Sequence, residues 1–431
     1  DQYLGMKIKK ISGSVAAPKG FLAAGVRAGI KKTGKRDLAL VVSEKPCGVA
    51  AVFTSNRVQA APVLFDLRQI LRPPIHGVLT NSGNANACTG MKGLQNAGRL
   101  AGLISKLFDH AFGTHGSKFL VCSTGRIGVQ LPMSKIVVAV PEAVRSLSAS
   151  GGGRAALAMM TSDTFPKKAA VEFRIGGRRI RIGGIAKGAG MIHPRMNPRG
   201  MPLPAWPRPT AGGRRGGHAT MLCTITTDAL IGRGLLRKCL VAAVEQSFNS
   251  ISVDGDTSTN DTVILLANGE AGNSPIRPGS AGHRAFQQAL NRVALELAQL
   301  IVRDGEGMSR FVTVRVRGCR SAVDAEAMGR AVINSMLVKS AWSGGDPNWG
   351  RILDAMGYSG AAFREDKVRI WYDGRLLVKK GRQNDREVPA VKKIVKNPSF
   401  QVTIDAGSGK HCRTFYTTDL TEKYVSFNKT E

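Results

Sequence analysis

Met221 to Thr227 reads Met-Leu-Cys-Thr-Ile-Thr-Thr, apolar or β-branched at nearly every step, before Asp228 and the turn signal at Gly232. Such a run, without helical period, predicts a buried strand. Its lead-in is Gly216-Gly217-His218, then the small residue Ala219 and Thr220. Upstream, short apolar runs predict strands at 38–42 and 49–53, with turns at Gly34 and Pro46. A strand at 77–80 breaks into Asn81-Ser82-Gly83-Asn84-Ala85-Asn86-Ala87, and apolar positions at helical spacing predict a helix over 93–107. A strand at 119–122 ends in Ser123-Thr124-Gly125-Arg126-Ile127-Gly128. A helix-like run at 155–160 leads to Thr161-Ser162-Asp163, and two strands separated by Gly176-Gly177 lead to Ala186-Lys187-Gly188.

Between 197 and 218 the composition changes to Pro, Gly and Arg, with Trp206 as the only aromatic residue. That stretch cannot pack a core and predicts a flexible loop. Downstream the pattern predicts a helix over 234–248, a polar loop at 253–262, a strand at 263–267 and a helix over 283–302. A further helix over 322–338 precedes Gly345-Asp346-Pro347-Asn348-Trp349-Gly350-Arg351, a loop opening a short helix. Strands follow at 368–372, 401–404 and 412–418.

At 431 residues with 43% apolar positions, the chain can bury two or three domains, or one large α/β body with a second lobe. Its formal charge of +32 alone would suggest a polyanionic partner. The basic residues, however, fall in scattered clusters (7–10, 31–36, 178–181, 379–382, 392–396), and only 6% of positions are aromatic. We therefore expect no nucleic acid as partner; the charge serves solubility and attracts anionic metabolites. Seven cysteines show no CxxC spacing, which predicts packed, reduced thiols. No apolar run approaches the length of a membrane span, so no membrane partner is expected. The chain opens Asp1-Gln2-Tyr3 without methionine, which leaves a presequence open.

Several motifs carry candidate chemistry. A strand ending in Ser-Thr-Gly presents a hydroxyl and a glycine N–H, as an oxyanion site requires. Lys187, between small residues at a strand end, can offer a fixed cation to a carboxylate or simply be solvated. Glu306, between Gly305 and Gly307, is a turn residue or a carboxylate held toward a pocket. The aspartates of 254–261 lack the calcium-loop spacing and read as loop-capping groups, so no metal is expected. His193 reads as structural.

The ordered motifs 81–87, 123–128, 161–167, 186–194, 219–229, 303–307, 345–351 and Asp419-Leu420-Thr421 together resemble the bifunctional ornithine acetyltransferase / N-acetylglutamate synthase family of arginine biosynthesis, most closely its fungal mitochondrial branch. The resemblance runs over residues 16–428. It implies a mixed α+β, two-lobed fold of the ornithine acetyltransferase / DmpA-like kind, with an N-terminal nucleophile made by self-cleavage between Ala219 and Thr220. The pieces would be an alpha chain, 1–219, and a beta chain, 220–431, assembled as a heterotetramer of two alpha and two beta chains.

By the same resemblance, Thr220 would be the nucleophile, Thr124 and Gly125 the oxyanion hole, and Thr161, Lys187, Thr220, Glu306 and Asn428 the substrate contacts. The implied reaction moves the acetyl group of N2-acetylornithine to glutamate through an acetyl-threonine. No cofactor is implied, with acetyl-CoA as a second acetyl donor and the mitochondrial matrix as location, or the cytoplasm for a bacterial chain. The sequence departs from the family pattern at 197–218, which intervenes before Ala219, at Arg126, where a small apolar residue is usual, and in its short tail. Alternative readings are a self-processing aminopeptidase or amidohydrolase and an unprocessed, inactive member of the family.

Overall fold

The computed structural model describes residues 8–199 and 220–429. Ala219 and all of the expected loop beyond residue 199 lie outside the described residues. The chain forms two compact units, Asp1–Asn249 with Thr257–Ile301, and Ser250–Asp256 with Val302–Glu431.

The first unit is built on a mixed sheet of 10 strands among the described residues. At its centre lies Leu222–Thr227, buried at every position as the pattern predicts. It pairs in parallel with Thr262–Ala267 and antiparallel with Arg178–Lys187. The two strands expected at 38–42 and 49–53 are one, Leu38–Thr54. Its exposed middle, Glu44-Lys45-Pro46, coincides with a register shift between Val42 and Cys47. Proline is tolerated there because the strand changes partners at that point: residues 38–43 pair with Phe21–Val26, and 48–53 with Thr262–Ala267.

Alternation along that strand splits the core. Leu38, Leu40 and Val42 pack with Leu100, Ile104 and Phe108 of the helix Gly90–Phe112, while Ala39 and Val41 pack with Ala155 and Met159 of Gly152–Met159. The helix Gly90–Phe112 overruns the expected 93–107 and stops at Gly113, whose φ of 66° gives the left-handed cap.

The second unit carries a sheet of 7 strands among the described residues. Phe311–Cys319 lies between Ser399–Asp405 and His411–Thr418. The helix expected over 322–338 is two helices, Ala322–Asn334 and Met336–Ser343. Ser335 divides them: its side chain accepts from Val338 N and caps the second helix.

Candidate active site

Thr220 lies two residues before the central strand of the first unit and is 2% exposed. The neighbouring backbone is anchored twice: Met221 N–H donates to Asp261 Oδ1 at 3.1 Å, and Thr262 N–H donates to the Met221 carbonyl. The Thr220 hydroxyl shares a 2.7 Å hydrogen bond with Ser258 Oγ, which also accepts from Asn260 N–H. Thr54 Oγ1 in turn donates to the Ser258 carbonyl at 2.6 Å. The 258–262 loop thus sets the position of Thr220.

The same loop binds the other motifs. Asn260 Nδ2 donates to the carbonyls of Ala85 at 2.7 Å and Ser123 at 2.8 Å, tying the Asn-rich segment to the Ser-Thr-Gly turn. That turn does not end its strand, as the sequence predicted; the strand runs on as Lys118–Arg126. It pairs with Ile75–Asn84, with Gly125 opposite Gly83 and a register shift immediately beyond. Only glycine fits at 125: φ is 130°, and an added Cβ would lie 2.3 Å from Gly83 C. Within 81–87 the side chains hold the fold: Asn81 accepts from Ser123 Oγ, and Asn84 donates to the carbonyls of Val129 and Gln130. Arg126 is half-buried, and its carbonyl accepts from Ala85 N–H.

Lys187 closes the site. It lies opposite Leu222 in the sheet register, and its side chain is fully buried. Its ammonium donates to Thr161 Oγ1 at 2.6 Å and Thr124 Oγ1 at 3.1 Å. Asp163, not singled out by the sequence reading, stands beside it with Oδ2 3.8 Å from Lys187 Nζ. The same carboxylate accepts from Lys167 Nζ at 2.6 Å, Gly188 N–H at 2.7 Å and Thr161 N–H at 2.9 Å. Burial would push this carboxyl up; the charges of Lys187 and Lys167, with the Gly188 N–H, outweigh it and hold it at about 2. Lys31 feels the same cluster: burial lowers it to about 8, with Asp37 opposing and the charge of Lys187 adding to the depression.

Because the folded-state value for Asp163 lies below its ordinary 3.8, its stabilising contribution is complete above that pH and is lost as pH falls toward 2. Urea midpoints measured from about pH 5 downward should fall for the natural chain more steeply than for Asp163→Asn, which lacks this proton uptake. Ser258→Ala removes the partner of the Thr220 hydroxyl. Steady-state rates should drop roughly fivefold, the worth of a hydrogen bond of about 1 kcal/mol, with Thr220 still in place.

The His193 carbonyl accepts from Thr257 Oγ1 at 2.8 Å. Five cysteines are buried, and Cys88 and Cys412 are exposed. Burial pushes Cys122 and Cys223, the two nearest the site in sequence, well above the ordinary thiol range. Among the described residues no group of three or more His, Cys, Asp or Glu side chains is placed to hold a metal. No helix among them is long and apolar enough to cross a membrane.

In the second unit, Glu306 and Asn428 come together. Asn428 Nδ2 donates to Glu306 Oε2 at 3.3 Å and to the Tyr424 carbonyl at 3.0 Å. Thr421 Oγ1 donates to the Gly307 carbonyl at 2.5 Å, and a Cβ at Gly307 would lie 2.3 Å from Tyr424 N. The turn holding Glu306 and the helix Glu422–Asn428 are therefore locked together. Asp254 accepts from Asp256 N–H within its own turn and also hydrogen-bonds the Tyr424 side chain.

The sequence model of the ArgJ family matches residues 22–430. The chain is 43% identical over 420 residues to the arginine biosynthesis bifunctional protein ArgJ of Symbiobacterium thermophilum, covering 97% of this chain and 98% of that protein. It is 42% identical over 445 residues to the mitochondrial ArgJ of Schizosaccharomyces pombe, covering 98% and 94%. Among solved structures, an ornithine acetyltransferase from Mycobacterium tuberculosis, complexed with ornithine, is 38% identical, with a TM-score of 0.41 over 44% of this chain and 100% of that one.

Proposed function

We propose that this chain, which belongs to the ArgJ family, is a glutamate N-acetyltransferase of arginine biosynthesis that moves the acetyl group of N2-acetylornithine to glutamate. What carries this reading is the assembly within one unit of Thr220, bonded to Ser258 at 2.7 Å, and of Lys187, bonded to Thr124 and Thr161.

The active form is made by cleavage between Ala219 and Thr220. A threonine hydroxyl is a weak nucleophile, and an N-terminal α-amine, with an ordinary pKa of roughly 7.7 to 8.0, is a base near neutrality on the same residue. Cleavage creates both. The Thr220 oxygen attacks the acetyl carbonyl while its proton passes to the α-amine. The carbonyl oxygen, now an anion, takes hydrogen bonds from the Thr124 hydroxyl and the Gly125 N–H. Collapse breaks the C–N bond, and ornithine leaves with the proton. The amine of glutamate then attacks the acetyl-threonine ester, N-acetylglutamate departs and the threonine hydroxyl is restored. Lys187 and Thr161 serve the substrate's carboxylate side.

The sheet supports a cleaved chain that stays together. Leu222–Thr227, from the 220–431 piece, pairs with Arg178–Lys187 of the 1–219 piece, and Thr262–Ala267 pairs with Leu38–Thr54. Separating the pieces would expose both ladders. Two such pairs make the heterotetramer, acetyl-CoA is a second acetyl donor, and the mitochondrial matrix is the site of action.

Incubation with N2-acetylornithine, with and without glutamate, tests the reaction. We expect N-acetylglutamate and ornithine in equal amounts, with parallel ping-pong kinetics. Acetate release indifferent to glutamate would instead assign the chain to amide hydrolysis.

A further inference from the structure

Lys187 and Thr124 share a hydrogen bond whose direction depends on protonation. An ammonium has no acceptor capacity, so at 3.1 Å from a charged Lys187 the Thr124 oxygen can only accept. The Thr124 proton is then left for another oxygen. A neutral lysine has a lone pair, and the Thr124 proton could turn toward it instead. The charge on Lys187 therefore decides whether Thr124 can serve as an oxyanion donor.

Most of its surroundings act against that charge. The side chain is 0% exposed, and burial favours the neutral amine. Lys31 is near enough for the two cations to repel, and Lys167 adds a second ammonium on the shared carboxylate. Asp163, also 0% exposed, supplies an opposing charge, with Oδ2 3.8 Å from Lys187 Nζ. Its Oδ1 holds Lys167 and the Gly188 N–H, next in sequence to Lys187, and Oδ2 holds the N–H of Thr161, the second acceptor of Lys187. The carboxylate thus fixes both the charge of Lys187 and the backbone on either side of its contacts.

We propose that Asp163 is the positioning residue of the oxyanion site: it keeps Lys187 an ammonium, and so keeps the Thr124 proton free for the acetyl oxygen. This rests on the reading of Thr124 as an oxyanion donor and Thr220 as nucleophile.

The test is Asp163→Asn, alone and with Lys167→Met, which removes the other lysine that the carboxylate holds. Rates are taken per cleaved chain. At about pH 8 we expect kcat to fall roughly 100-fold, as for loss of one oxyanion donor. The ratio of variant to natural kcat should rise as pH is lowered from about 8 to about 6, because protons return to Lys187. A structural defect gives no such trend. A ratio flat with pH, or kcat close to that of the natural chain, overturns the proposal. So does failure of the double variant to give folded, cleaved protein, which would assign Asp163 to folding or processing. Activity retained in Thr220→Ala would overturn the reading of the nucleophile instead, whatever Asp163→Asn does.

Discussion

Thr220→Ala is expected to be recovered as one uncleaved chain with acetyl transfer lowered by about 10,000-fold or more, the scale on which removal of a nucleophile acts. The variant removes the oxygen proposed to attack in both reactions, processing and transfer, so both should fail together. The fold should survive, because the position is buried but lies outside the ladder of Leu222–Thr227, and among the described residues the lost hydroxyl bonds to Ser258. Thr220→Ser keeps an oxygen and an α-amine and should retain cleavage and a reduced rate. Gel analysis of the purified variants and a coupled assay for ornithine release measure the two effects.

Thr124→Val should be the next most damaging change. It preserves volume at a fully buried position but removes the proposed oxyanion donor, at a cost of roughly 100- to 1,000-fold in kcat. The effect should fall on kcat more than on KM, because the hydrogen bond strengthens as charge develops on the acetyl oxygen. The glycine beside it admits no such swap. Gly125→Ala would force a Cβ within 2.3 Å of the Gly83 backbone, so its loss of activity would be mixed with distortion of the paired strands. Thr124→Val is for that reason the cleaner probe, and steady-state kinetics with N2-acetylornithine read it directly.

The central strand was legible because its residues are buried on both faces and so show one uninterrupted run; the helix Gly90–Phe112 was legible by its period. Phe311–Cys319 went unassigned although Val312, Val314 and Val316 alternate with Thr313, Arg315 and Arg317, the clear signal of a half-buried strand. The break at Ser335 was hidden because serine inside a helical run reads as a tolerated surface residue until its cap to Val338 N is seen.

At the site, motif and order pointed to Thr124, Gly125, Thr161, Lys187 and Thr220. The structure gathers Lys187, Thr124 and Thr161 directly, and brings Glu306 and Asn428 together in the second unit. What sequence could not supply was the set of residues acting through others. Asp163 looked like one polar residue among several, because its role comes from two lysines that the sheet folds against it. Ser258 sat in a loop whose aspartates drew the eye, while its hydroxyl, 38 residues from Thr220 in sequence, is the one in contact with it.

On the proposed mechanism Thr220 becomes a chain terminus, so that one residue supplies both nucleophile and base. N-terminal sequencing of the purified active protein, after separation on a denaturing gel, tests it most directly. Two pieces in equal amounts are expected, one of them beginning Thr220-Met221-Leu222. A single chain of 45.8 kDa that still transfers acetyl groups would contradict it.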